Sequence, residues 1–153
     1  MSADYPSMTT AEIRSKFLNF FEERGLKLYP SSSLVPDDPS LLLANAGMNQ
    51  FKEYYQGKKT MKEIGAISCQ KCVRTNDIDC IGEDGRHLSF FEMLGDFSFG
   101  GVSKEQACAW AFELITKEFK LPLDRLYFTV FTEDDETHDV WRSLGVAADH
   151  VSR

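Results

Sequence analysis

At Gly25 the apolar pattern of this chain changes period. Before it, Ile13, Phe17, Phe20 and Phe21 recur at helical spacing and predict a helix over about Thr10–Arg24. Thr9 and Glu12 are spaced as a capping box, Met8 and Ile13 as a hydrophobic staple, and Gly25 ends the helix as a left-handed residue. After Gly25 the apolar residues fall into short runs that read as strands: Leu26–Tyr29, Leu41–Ala44, Gly65–Cys69, Leu88–Leu94 and Leu126–Phe131. Turn-forming segments separate several of them, namely Pro30 with Ser31 to Ser33, Pro36 to Pro39, and Asn76 to Gly85. Helical spacing returns over about Lys104–Phe119, where Ala107, Trp110, Ala111, Leu114 and Ile115 share a side and Ser103 with Gln106 caps the start. A third helix, about Asp135–Leu144, carries Val140, Trp141 and Leu144. Strands bunched between helices, without strict alternation, imply an α+β domain whose sheet is mainly antiparallel and flanked by helices.

Size and charge narrow the class further. A chain of 153 residues that is 42% hydrophobic and 27% charged can bury a core and reads as one domain, residues 1–153. No apolar run approaches the roughly 20 residues of a spanning helix, and the opening MSADYPSMTT lacks a signal-peptide layout, so the expectation is a cytoplasmic protein without membrane contact. A net charge of −7 argues against an autonomous nucleic-acid binder, because phosphate neutralisation needs clustered Lys and Arg. Lys58, Lys59 and Lys62 form a basic cluster, which reads as a solvated face.

Four segments carry candidate chemistry. In SSSLVPDDPSLLLANAGMNQF, Ser31 to Phe51, prolines fix φ, Asn45-Ala46-Gly47 permits a tight turn, and Met48 supplies an adaptable apolar wall. In QKCVRTNDID, Gln70 to Asp79, Arg74 stands at a strand end before an acidic turn, where its planar fork can hold two phosphate oxygens at any working pH. In GRHLSFFEMLGDFSFG, Gly85 to Gly100, strand alternation turns either Phe90 or Phe91 inward, free to stack on a planar base. The fourth is Cys69-x-x-Cys72 with Cys80 and His87 downstream, whose spacing is irregular for a tetrahedral zinc site, so the thiols read as structural and no metal ligand is assigned.

The first and third segments are similar to the two ordered sequence motifs of the alanyl-tRNA synthetases, class II enzymes, and the resemblance runs from about Thr9 to the end. It implies an ATP-dependent activation of alanine to alanyl-adenylate followed by transfer to tRNA(Ala). In that family the Asn-Ala-Gly-Met-Asn-Gln-Phe run lines the alanine and ATP pocket, which points to Asn45, Ala46, Gly47 and Met48 here. Arg74 takes the place of the arginine that grips the α-phosphate and is the expected catalytic residue. Arg86 and His87 correspond to loop residues that reach the nucleotide, and Phe91 to the ring that stacks on adenine. Glu92 is a candidate Mg²⁺ ligand or receptor for the adenine amino group, provided that it faces the nucleotide. The substrates implied are Mg²⁺-ATP, alanine and tRNA(Ala), and the family's zinc site is expected outside this chain.

Three departures from the common form RHHTFFEMLGNFSFGDYFK stand out: Leu88 replaces its second histidine, Asp96 replaces asparagine, and Gly101-Val102-Ser103-Lys104 replaces Asp-Tyr-Phe-Lys. The glycine-and-arginine motif that completes the family's ATP site is missing before Arg153. The expectation is therefore an amino-terminal piece of a synthetase catalytic domain, incomplete at its C-terminus, monomeric and unable to charge tRNA alone. Two alternatives from other classes are a catalytically dead synthetase-like module with a binding or regulatory role, and a small metal-stabilised interaction domain.

Overall fold

A computed structural model describes residues 7–75 and 78–153, and within it the chain forms two compact units. Asn76 and Asp77, the start of the expected acidic turn, lie outside the described residues. The elements are α1 (Thr10–Glu22), β1 (Lys27–Leu28), α2 (Lys52–Tyr55), β2 (Gly65–Val73), β3 (Phe90–Ser98), α3 (Lys104–Glu113), β4 (Phe128–Thr129), α4 (Asp135–Ser143) and β5 (Val151–Ser152). This is the α+β class anticipated from the pattern of helices and strands.

The helix caps follow the sequence closely. Thr9 Oγ1 accepts the Glu12 N–H at 3.2 Å while the Thr9 N–H donates to Glu12 Oε2 at 2.7 Å, a reciprocal capping box at the start of α1. At the other end the Gly25 N–H reaches Glu22 O and the Leu26 N–H reaches Phe21 O. That is a Schellman closure, which requires the left-handed φ of +88° that Gly25 adopts.

The unit from Phe17 to Gly101 is organised by the hairpin β2–β3, antiparallel from Gly65 opposite Ser98 to Val73 opposite Phe90, with β1 parallel along the other edge of β2. Alternation places Ala66, Ser68, Gln70 and Cys72 on one face with Phe97, Gly95, Met93 and Phe91. Against that face lies a 3₁₀ segment, Gly47–Phe51, whose Phe51 ring packs 4.7 Å from Phe97 and 5.3 Å from Tyr29. Phe17, Phe20, Phe21, Leu26, Ala44, Ala66 and Ile67 complete the buried core of this unit.

The other unit holds residues up to Lys16 together with Val102–Arg153. Here β4 and β5 pair in parallel, and Phe128 packs 4.7 Å from Trp141 of α4 and 6.1 Å from Phe112 of α3. Ser103 Oγ caps α3 and Asp134 caps α4, each accepting a backbone N–H three residues on.

Several expected elements take other forms. Leu41–Ala44 makes no strand: Leu42 is exposed, and Ala44 alone reaches the sheet, its carbonyl accepting the Val73 N–H. The hairpin strand starts at Phe90 and continues to Ser98, beyond the Leu88–Leu94 read from sequence, because its pairing with β2 extends through the glycine-rich part. Leu126–Phe131 contracts to Phe128–Thr129, leaving Tyr127 and Phe131 exposed. The helix expected over Lys104–Phe119 is α-helical only to Glu113 and continues as a π-turn over Leu114–Glu118; its buried side carries Cys108 and Leu114, while Ala107 and Ala111 are exposed. The short strands pair in parallel, so among the described residues only the central hairpin is antiparallel. His150 is half-buried and stacks 4.5 Å from Tyr127, with its Nδ1 2.7 Å from Leu126 O.

Candidate functional site

The face of the hairpin that holds Gln70, Cys72, Phe91 and Met93 is also where Arg74 and the Asn45–Met48 segment meet. Arg74 follows β2 directly, and its N–H pairs with Ser89 O where the two strands separate. Its Nε donates to Asn45 O at 3.0 Å, and its guanidinium carbon lies 5.4 Å from the centre of the Phe91 ring. One edge of the guanidinium is thereby anchored to backbone. The terminal nitrogens remain as a fork, a geometry suited to two oxygens of one phosphate. Phe91 is half-buried and offers a ring beside that fork.

The Asn45–Met48 segment is held against the sheet by contacts that composition does not advertise. Ala46 is extended, and Gly47 opens the 3₁₀ segment with its N–H 3.2 Å from Met93 Sδ. A Cβ added at Gly47 would lie 3.4 Å from Phe97 Cζ and 3.7 Å from Met93 Sδ, so this glycine provides close approach to the sheet rather than an unusual φ. Asn49 Nδ2 donates to Asn45 Oδ1 at 3.1 Å, and Met48 is exposed.

Beneath this segment sits Gln70, which is only 1% exposed. Its Oε1 accepts from Ser32 N at 2.8 Å, Ser32 Oγ at 3.1 Å and Gln50 Nε2 at 3.2 Å. Its Nε2 donates to Ser32 O at 3.2 Å and Lys71 O at 2.8 Å. A buried amide with both ends engaged fixes the Ser31–Ser33 turn and the 3₁₀ segment in one register over the sheet.

The structure thus brings Arg74, Phe91 and Asn45 together, with Ala46 and Gly47 on the same side. It does not bring Glu92 to them: strand alternation puts Glu92 on the opposite face, across from Lys71. The condition attached to Glu92, that it face the nucleotide, is therefore not met by its register. Arg86 and His87 ride on the exposed connection before β3, where Asp84 accepts the N–H groups of both. Those donors and the His87 ring hold the Asp84 carboxyl down at about 2. Gln70, Met93 and Asp84 escaped the sequence reading; for Asp84 the available signal was its position three residues before His87.

The cysteines divide between faces. Three residues apart on one strand, Cys69 and Cys72 point to opposite sides of the sheet, which excludes a shared ion for this pair in the observed conformation. Burial pushes the Cys72 thiol up, as expected of a structural side chain. Among the described residues no three or more His, Cys, Asp or Glu side chains are grouped to hold a metal ion.

A cleft of about 570 Å³ lies elsewhere in this unit, between the Pro36–Pro39 loop and Lys52, Glu53 and Lys59. Two ion pairs, Lys52 with Asp38 and Lys59 with Glu53, each at 2.5 Å, occupy part of its lining, and it holds none of the residues singled out around Arg74.

The arginine is anchored at a strand end beside an aromatic ring, over an antiparallel hairpin, in a chain whose family is that of the class II tRNA synthetases. The chain belongs to that family: the model described as tRNA synthetases class II (A) matches residues 12–153. Among individual relatives, it is 49% identical over 154 residues to an alanine–tRNA ligase of Synechocystis sp., covering 100% of this chain and 18% of that protein. It is 51% identical over 142 residues to a chloroplastic/mitochondrial alanine–tRNA ligase of Sorghum bicolor, covering 92% of this chain and 15% of the relative. An alanine–tRNA ligase of Fervidobacterium nodosum is 47% identical over 146 residues, with 95% of this chain and 17% of the relative covered. The chain therefore spans less than a fifth of the length of these relatives. No described helix is long and apolar enough to cross a membrane.

Proposed function

We propose that residues 1–153 form the amino-terminal part of the aminoacylation domain of an alanine–tRNA ligase and supply its grip on ATP and alanine. The observation that carries this reading is the convergence of Arg74 with Asn45 O at 3.0 Å and the Phe91 ring at 5.4 Å. Arg74 holds the α-phosphate of ATP, Phe91 stacks on adenine, and Arg86 and His87 reach toward the phosphates. Asn45, Ala46, Gly47 and Met48 line the adjoining space for alanine.

In the reaction, a carboxylate oxygen of alanine attacks the α-phosphorus, forming the P–O bond of alanyl-adenylate as pyrophosphate departs with the electrons of the broken bond. The tRNA(Ala) hydroxyl then takes the alanyl group and AMP leaves. No protein nucleophile takes part in the first step. Arg74 contributes charge stabilisation where negative charge gathers at phosphorus, and the pocket contributes orientation. Magnesium arrives as part of the ATP complex. The side chains around Arg74 are a guanidinium, a phenyl ring and an amide, which suit phosphate and base rather than a bare divalent ion. No zinc ligand is assigned within this chain.

Calorimetric titration of Mg²⁺-ATP into the chain and into Arg74→Ala tests the assignment. Binding that the substitution weakens tenfold or more supports it. Equal affinity in both proteins removes Arg74 from the phosphate site and favours a synthetase-like binding module.

A further inference from the structure

The 3₁₀ segment Gly47–Phe51 begins without a cap of its own: the residue ahead of it is Ala46, which has no side-chain oxygen to receive an N–H. A helical start leaves backbone N–H groups without partners inside the helix, and burying one unpaired is costly. Gly47 is buried, so its N–H is such a group. Its acceptor comes from the sheet and is Met93 Sδ, 3.2 Å away. A thioether sulfur is a weak acceptor, but the unbranched methionine side chain can carry it to a donor that the strand backbone does not reach.

This bond acts on both sides of the peptide. In a trans peptide the Ala46 carbonyl points away from the Gly47 N–H. That carbonyl accepts the Asn49 N–H at 3.3 Å, so holding Gly47 orients the entry to the 3₁₀ segment. Upstream, the Ala44 carbonyl takes the Val73 N–H at 2.9 Å and the Asn45 carbonyl takes Arg74 Nε at 3.0 Å. Residues 44, 45 and 47 are thus fastened in turn to Val73, Arg74 and Met93. Of these three ties, the one to Met93 can be removed by substitution without changing the strand backbone or the arginine. Gly47 sits over the cross-strand pair Gln70 and Met93, since a Cβ added to it would lie 3.7 Å from Met93 Sδ and 3.8 Å from Gln70 Cβ. Phe91 stands two residues before Met93 on the same face of β3. One strand therefore carries both the ring beside Arg74 and the anchor of the Asn45–Met48 segment.

We propose that Met93 is a positioning residue for the alanine end of the site: by accepting the Gly47 N–H, its sulfur sets where Asn45–Met48 stands relative to Arg74 and Phe91. This rests on the assignment of Asn45–Met48 to alanine under the proposed function. It extends that reading to a residue whose contact is with the segment rather than with the substrate.

Met93→Leu is the discriminating variant, because it nearly conserves volume and apolarity and removes the acceptor. Amide hydrogen exchange, read from nitrogen-15 spectra, is expected to accelerate about fivefold or more at Gly47 and to stay at the parent's rates along β2. By calorimetry a non-hydrolysable alanyl-adenylate analogue is expected to bind about threefold to tenfold more weakly, because the competent placement of the segment is less populated. Mg²⁺-ATP, held by Arg74 and Phe91, is expected to stay within about twofold of the parent's affinity. Unchanged exchange at Gly47 overturns the proposal, as does an analogue affinity equal to the parent's. An equal loss for analogue and Mg²⁺-ATP, with faster exchange throughout β2, also overturns it and leaves Met93 a packing residue. A parent chain that binds the analogue no more tightly than Arg74→Ala does would instead show that the proposed function had failed, and the role of Met93 would fall with it.

Discussion

Replacing Gln70 with leucine removes the amide that fastens the Ser31–Ser33 turn and the 3₁₀ segment to the central hairpin, while nearly conserving volume. The parent side chain is 1% exposed and engages Ser32, Gln50 and Lys71 through both ends. Leucine leaves the Ser32 N–H, the Lys71 carbonyl and the Gln50 amide to find other partners. Each buried group left unpaired costs about 1–3 kcal/mol, with the lower figure applying where water can enter. Ser32 and Gln50 are half-buried and partly rescued, so the sum is about 2–4 kcal/mol. In urea, with a slope of about 1–3 kcal/mol per molar, that loss lowers the midpoint by roughly 0.7–4 M at unchanged slope. Ser32→Ala keeps the backbone bond to Gln70 and is expected to cost only about 1 kcal/mol. A Gln70→Leu midpoint within about 0.2 M of the parent would refute the view that this amide organises the floor of the site.

Other consequences are open to direct measurement. Phe51→Ala empties a fully buried ring site beside Phe97 and Tyr29 and is expected to cost about 3–5 kcal/mol by the same urea assay. Gly65→Ala places a Cβ 2.5 Å from the Phe97 carbonyl oxygen on the paired strand, so it should depress expression or melting temperature more than Gly57→Ala, whose Cβ meets nothing within 4 Å and which carries only the strain of a left-handed φ of +69°. Asp134, held at about 2 by the Thr137 backbone and hydroxyl groups and by Lys104, stabilises the fold above the unfolded carboxylate value near 4 and loses that contribution as pH falls through 2. Melting curves of Asp134→Asn by circular dichroism should show a shallower decline across that window. Asp96 has the opposite sign: burial raises its carboxyl even though the residue keeps solvent contact, so Asp96→Asn should raise the melting temperature at pH 7, with the gain vanishing below about pH 4.

Local signals explain which parts were legible in the sequence. The helix ends were readable because capping is settled within a few residues: Thr9, Glu12 and Gly25 act as their spacing implies. The central hairpin was readable in outline because its apolar runs are long. Leu41–Ala44 was not, since a short apolar run has no periodicity to separate a strand from a loop anchored at one residue, Ala44. The side of α3 that is buried, carrying Cys108 rather than Ala107 and Ala111, and the π-turn that follows at Leu114–Glu118 are set by packing, which the 3.6-residue period alone does not carry. For the candidate site, Arg74 and the Phe90–Phe91 pair were proposed from residue type together with the family resemblance, but only the register decides that Phe91 and not Glu92 shares a face with Gln70. Gln70 and Met93 were hidden because their partners, Ser32 and Gly47, are 38 and 46 residues away in the chain.

The most direct test of the account is calorimetric binding of a non-hydrolysable sulfamate analogue of alanyl-adenylate, which occupies the base, phosphate and alanine positions together. The parent chain is expected to bind it. Arg74→Ala should bind about tenfold to a hundredfold more weakly, the loss of a charge-assisted grip worth about 1.5–3 kcal/mol. Equal affinity for the two proteins, or binding that is indifferent to replacing the alanyl group with a bulkier aminoacyl group, would contradict an alanyl-adenylate site built around Arg74, Phe91 and Asn45.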